Sequence, residues 1–234
     1  MLQVSRLATI GEMAAGVAHE LNQPLTAIAN YAQACERLLA RPGADLGDVR
    51  SALHEIATQA VRAGDIIRRL RMLARSHAME RAQADINSVI REILELMLTD
   101  ARVHRARLQL QLTENLPSVS VDRVQIQHVI LNLVRNALEA LSSGDSAVRE
   151  VLIRSVRTTA GEIEIAVSDS GPGLPAQVLQ RMFDPFFSTK ESGTGLGLPI
   201  SNTVVRAHGG TLGYRPNNPH GACFYFRLPA QTAE

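Results

Sequence analysis

Two stretches of heptad spacing constrain this chain more than any other feature. Leu7, Ile10, Ala14, Val17, Leu21, Pro24, Ile28, Tyr31, Cys35 and Leu38 alternate by three and four residues. That is the a/d seam of a left-handed helix bundle. Residues 41–48, RPGADLGD, carry Pro and Gly and read as a turn. The spacing resumes at Leu53, Ile56, Ala60, Ala63, Ile67, Leu70 and Ala74. Residues 1–80 are therefore expected to form an antiparallel two-helix hairpin. One hairpin cannot bury two such seams, whereas two copies forming a dimeric four-helix bundle can.

From about Asp85 the periodicity changes. Ile86–Ala101 reads as an amphipathic helix and Leu108, Leu110 and Leu112 as a strand. Val124–Leu141 is a strong helix, and Val151–Val156 and Ile163–Val167 are strands. Residues 170–197 read as a long loop holding a short helix. A helix over Leu198–Ala207 and strands near Thr211–Tyr214 and Cys223–Leu228 follow. The expected architecture is α+β: the hairpin, then an α/β sandwich over 81–234 with helices on one face of a mixed sheet. The polar stretch 77–85 (HAMERAQAD) is the expected linker.

At 234 residues and 45% apolar composition the chain can bury a substantial core. Its net charge of +1 gives no field for nucleic acid, and no nucleic-acid partner is expected. Cys35 and Cys223 make neither a zinc site nor a disulfide framework, so a cytoplasmic setting is expected. No apolar run reaches the roughly 18–20 residues of a membrane helix, and the first ten residues lack the pattern of a secretory signal. The heptads begin almost at Met1, from which a fragment lacking an upstream sensor segment is expected.

Four clusters carry chemistry. His19 falls five residues after the a position Ala14, on the face opposite the seam. A histidine of ordinary pKa, near ~6.5, keeps a neutral ring nitrogen free for nucleophilic attack at neutral pH. Glu20 can accept the other ring N–H, and Pro24 predicts a kink one turn on. Taken alone, the pair also describes a solvated surface histidine beside a glutamate. In QHVILNLVRNALEAL (127–141), Asn132 and Asn136 share a face with Arg135 and Glu139 nearby. Amide oxygens suit Mg²⁺ that also carries water and phosphate. DSGPGL (169–174) follows a strand directly. Its Asp169 can accept a hydrogen bond from an adenine amino group, while Gly171 and Gly173 allow close backbone approach. GTGLGL (193–198) leads into a helix whose first N–H groups can bind phosphate.

HELNQPL (19–25) resembles the phosphoacceptor box of histidine kinases. NLVRNA, DSGPG, FDPFF (183–187), GTGLG and GACFYF (221–226) match that family's ATP-binding boxes in order. The resemblance runs from Ser5 to Pro229. SRLATIGEMAAGVAHELNQPL and SVDRVQIQ add a likeness to rhizobial oxygen-sensing kinases that control nitrogen fixation. The resemblance implies a protein-histidine kinase of a two-component system, a homodimer through its hairpin, using ATP and Mg²⁺. It would phosphorylate His19 and pass the phosphoryl group to the aspartate of a response-regulator receiver domain. Glu20 would be the base. Gln23 stands where Thr or Asn often positions a dephosphorylating water, so phosphatase activity is less secure than kinase activity. Asn132 and Asn136 would hold Mg²⁺ and phosphates, with Arg135 beside them, and Asp169 would read adenine. Gly171, Gly173, Gly193, Gly195, Leu196 and Gly197 would shape the lid, and Phe183, Phe186 and Phe187 would pack it onto the domain. Lys190, the single lysine of the chain, would reach the γ-phosphate. Hydrolysing ATPases of this fold carry a glutamate base where this chain has Asn132, an amide that cannot act as a base. Two other readings remain at this point: an ATP-hydrolysing machine of the same fold, and a catalytically silent dimerisation scaffold.

Overall fold

A computed structural model describes residues 2–40, 45–74, 80–142, 148–190, 195–218 and 220–231, with side chains before residue 21 and at 62, 65, 66 and 68–74 left out. The chain divides into two compact units, residues 1–76 and residues 77–191 with 195–234.

The first unit is a helical hairpin of α1 (Leu2–Leu39) and α2 (Leu46–Ala74). Cys35, Val49 and Ala52 are buried together against Leu38, fastening the two helices near the turn. The turn is shorter than the composition of 41–48 suggests, because α2 already begins at Leu46 with Asp45 Oδ1 accepting the Gly47 N–H at 2.7 Å. Helical assignment continues through Pro24, which is buried. Leu25, Tyr31, Leu53 and Ile67 remain exposed in the single chain. Three of these four, Leu25 excepted, are seam residues. Among the described residues no helix is long and apolar enough to cross a membrane.

The second unit is built on a five-stranded mixed sheet of β2 (Arg107–Leu112), β4 (Glu150–Arg157), β5 (Ile163–Asp169), β6 (Thr211–Pro216) and β7 (Ala222–Leu228), in the order β2-β4-β5-β7-β6. Only β2 and β4 run parallel; the other neighbours are antiparallel. Two short strands, β1 (Ala82–Ala84) and β3 (Val119–Val121), form a separate antiparallel ribbon. The stretch expected as a polar linker thus contains a strand, whose Ala84 is buried.

The helix expected over Ile86–Ala101 is two helices, α3 (Ile86–Glu92) and α4 (Leu94–Val103). At the break the Ile93 N–H bonds back to Ile90 O, a tightened i→i+3 turn. Ile90, Ile93 and Met97 are all buried around it.

Helix α5 (Arg123–Ser142) shows why period reading works in the core. Ile126, Val129, Ile130, Leu133, Val134, Ala137, Leu138 and Leu141 are buried, leaving the Asn132, Arg135, Asn136 and Glu139 stripe half-exposed. Burying such a stripe is the main stabilising term for a helix of this length. Its start is fixed by Asp122, whose carboxylate accepts both the Gln125 N–H and the Gln125 side-chain amide, an N-terminal cap.

Strand β5 is central and buried on both faces. Ile163, Ile165, Val167 and Asp169 share one face by period two. On the other face Glu164 is salt-bridged to Arg215 at 2.8 Å and Arg227 at 2.9 Å. Both guanidinium groups also lie over the Tyr225 ring. Burial raises the Glu164 pKa, but these two arginines outweigh it and hold the carboxyl below its ordinary value.

Candidate nucleotide site

The face of α5 that does not enter the core meets the end of β5 and the start of α7 (Gly197–Ala207). Asp169 ends β5 with only 3% of its surface exposed. Its Oδ1 accepts N–H groups from Gly171 at 2.9 Å and Ala222 at 3.1 Å. Its Oδ2 has no hydrogen-bond partner among the described residues, which leaves one buried acceptor for a donor from outside. Burial pushes the Asp169 carboxyl above its ordinary range, against the opposing pull of those two N–H groups and of the Lys190 charge.

Glycine is required around this carboxylate. A Cβ on Gly171 would stand 2.9 Å from Asp169 Oδ1, and one on Gly221 would stand 1.9 Å from the Asp169 carbonyl oxygen. Gly221 has φ +113° and Gly173 φ +78°. Asn217 Nδ2 donates to the same carbonyl at 2.8 Å. Gly221 opens the GACFYF stretch, but nothing local in the sequence marks its contact with Asp169, and Asn217 carries no sequence signal.

The two amides of α5 are not equivalent. Asn132 Nδ2 donates to Ser201 Oγ of α7 at 3.0 Å, and Ser201 is buried. A Cβ on Gly197 would lie 2.4 Å from Asn132 Oδ1. Asn132 therefore ties α5 to the first turn of α7, while Asn136 makes no hydrogen bond among the described residues. Arg135 faces Asp100 of α4 at 4.0 Å. Glu139 Oε2 meets Lys190 Nζ at 2.5 Å.

Residues 170–190 lie in the expected loop region, with α6 (Ala176–Leu179) inside it. Leu196 is fully buried and seats the glycine turn at the head of α7. Gly195, at φ +63°, leaves no room for a Cβ, which would lie 2.4 Å from the Phe186 carbonyl carbon. Phe186 is itself at φ +65°, and its N–H bonds to Gly195 O at 3.2 Å. Phe183 and Phe187 are half-buried and Phe186 is exposed. Phe187 packs under Arg181, whose guanidinium carbon is 4.5 Å from the ring centre. The positive φ at Phe186 goes with the backbone bond to Gly195 rather than with burial of its ring. Gly193 lies outside the described residues, as do the side chains of His19 and Glu20. Gln23 is exposed on α1.

A buried acceptor at a strand end, an open amide on a helix stripe and a glycine turn heading a helix fit a nucleotide and its Mg²⁺. Among the described residues there is no cluster of three or more His, Cys, Asp or Glu to hold a metal on its own. A cation at this site therefore takes most of its ligands from amide, water and phosphate oxygens.

Two family models match the chain. Residues 9–79 match the His Kinase A (phospho-acceptor) domain. Residues 121–232 match the Histidine kinase-, DNA gyrase B-, and HSP90-like ATPase. The chain belongs to the histidine kinases. It is a histidine-kinase catalytic core, similar to the sensor protein FixL of Bradyrhizobium diazoefficiens at 44% identity over 232 residues. That match covers 98% of this chain and 45% of the relative. Among solved structures, the catalytic domain of histidine kinase ThkA is 32% identical with a TM-score of 0.57, covering 65% of this chain and 97% of that one. ThkA in complex with the response regulator protein TrrA gives a TM-score of 0.73 at 26% identity, covering 97% of this chain and 64% of that one. This histidine-kinase core spans less than half the length of the first curated relatives it matches, at 45%, 35% and 42%.

Proposed function

We propose that this chain is the autokinase core of a two-component sensor. It uses ATP and Mg²⁺ to phosphorylate His19 and hands the phosphoryl group to the aspartate of a receiver domain. The observation that carries the reading is the pairing of unsatisfied groups in the second unit, Asp169 Oδ2 and the Asn136 amide, with a phosphoacceptor box in the first. When bound, Mg-ATP supplies the phosphoryl group and neutralises its charge. Asp169 accepts a donor from the base, Asn136 offers an oxygen to the cation, and Lys190 offers charge to the terminal phosphate. Asn132 keeps α7 in register with α5, so that the first turn of α7 presents N–H groups toward phosphate. His19 provides the attacking ring nitrogen, and Glu20 accepts its other N–H.

The absence of a base at Asn132 disfavours attack by water and leaves the phosphoryl group for histidine. The ThkA–TrrA complex, a histidine kinase with a response regulator, supports a receiver domain as the acceptor. A homodimer through the hairpin and a cytoplasmic setting belong to the same proposal. The test is incubation with γ-labelled ATP. Acid-labile, base-stable label on the protein, lost in His19→Gln while nucleotide binding persists, is the expected result. Free phosphate without protein label would overturn the reading in favour of an ATPase, and neither product would favour a scaffold.

A further inference from the structure

Of the 24 lysine and arginine side chains all but one are arginine; the exception, Lys190, sits beside the nucleotide site. It is held at two points. Ser188 Oγ accepts the Lys190 N–H at 3.1 Å, which pins the backbone. The ammonium meets Glu139 Oε2 at 2.5 Å. Glu139 lies three residues beyond Asn136, on the same half-exposed stripe of α5. The Lys190 charge also reaches the Asp169 carboxylate.

We propose that Glu139 is a built-in competitor for the nucleotide's terminal phosphate: it occupies Lys190 in the position of a phosphate, so that a triphosphate must displace the carboxylate to gain the lysine, and the ion pair moderates affinity for triphosphates alone. The inference rests on the reading of Lys190 as a γ-phosphate ligand. A carboxylate and a phosphate are rival partners for one ammonium, and both make charge-assisted hydrogen bonds with it. A diphosphate that stops short of Lys190 leaves the ion pair intact. A triphosphate must break it and gains the lysine in exchange. The pair is about one-third exposed on each side, so breaking it costs little, and the exchange is readily reversible.

The experiment is titration calorimetry of the whole chain with Mg²⁺ and either ADP or a non-hydrolysable ATP analogue. Glu139→Gln, Lys190→Ala and the double variant are compared with the parent. Glu139→Gln is expected to tighten the ATP analogue about two- to five-fold, the range of a partly exposed ion pair, and to leave ADP unchanged. Lys190→Ala is expected to weaken the analogue and leave ADP unchanged. The gain from Glu139→Gln is expected to vanish on the Lys190→Ala background. Weaker analogue binding in Glu139→Gln would overturn the proposal, because Glu139 would then itself serve the nucleotide. An equal gain for ADP, or a gain that survives without Lys190, would reduce Glu139 to a generic negative charge and also overturn it. Unchanged analogue affinity in Lys190→Ala would remove the γ-phosphate reading, and this inference with it.

Discussion

His208, at the end of α7, accepts the Asp122 backbone N–H on Nε2 at 3.0 Å, across 86 residues of chain. Its Nδ1–H donates to Val204 O at 2.8 Å, so both ring nitrogens are committed and the ring must be neutral. Burial lowers the His208 pKa, and the nearby Arg81 adds to this while Val204 and Asp122 oppose it. Since the folded pKa is depressed, the unfolded chain binds the proton first. The stability from this contact is fully present above the ordinary histidine value of ~6.5 and is lost as pH falls from there through the folded pKa. In thermal unfolding, His208→Gln is expected to lose about 1–3 kcal/mol at pH 7.5, the range for a broken buried hydrogen bond. The gap to the parent should narrow at pH 5.5. A gap that is constant with pH would show that the ring's charge state plays no part.

Asp169→Asn separates stability from binding. The folded pKa of Asp169 is raised, so its ionisation subtracts from stability as pH rises above the ordinary carboxylate range. Without nucleotide, Asp169→Asn should melt at or above the parent temperature at pH 7, and the difference should shrink toward pH 4. Affinity for the ATP analogue should fall at least about tenfold, the cost of a lost hydrogen bond to a charged group. A lower melting point with intact binding would contradict both halves.

Gly221→Ala should damage the site through the backbone. The added methyl would meet the Asp169 carbonyl at a distance no pair of atoms tolerates, at a φ of +113°. A loss of about 3 kcal/mol or more is expected from overpacking and backbone strain together. Urea unfolding would measure it, and an unshifted midpoint would mean that β7 slides freely.

The exposed seam of the hairpin is directly testable in the whole chain. Leu53 is 54% exposed in the single chain. Leu53→Glu would place a charge in the core of a four-helix bundle, which costs several kcal/mol per subunit. Sedimentation at micromolar concentration is expected to show a dimer for the parent and a monomer for Leu53→Glu. A dimer in both would move the interface elsewhere.

Periodic features were legible in the sequence and tertiary ones were not. The hairpin, α5 and the long strands follow from spacing, because a buried stripe repeats at 3.6 or 2.0 residues wherever it packs. Ala82–Ala84 is too short and too small to alternate, so β1 was invisible and read as linker. The break at Ile93 leaves the apolar spacing unchanged, so nothing marked it. At the site, Asp169, Asn136 and the glycines stand out by type and order. The engagement of Asn132 with Ser201, 69 residues away, and of His208 with Asp122 depends on how α5 and α7 lie side by side. No local pattern encodes that.

The bond from Ala222 N–H to the Asp169 carboxylate spans 53 residues, and β5 and β7 are direct neighbours in the sheet although α7 and β6 are made between them. The site therefore has an order of birth. On the ribosome, α5 and β5 exist long before β7, yet Asp169 has neither its second N–H nor the wall at Gly221 until residue 222 has been synthesised. Within this chain the helix that holds His19 is made before the strand that completes the surroundings of Asp169. Because closing a long loop costs entropy that grows only slowly with length, the intervening segment can gain or lose residues in evolution with little penalty, provided the two strands still meet.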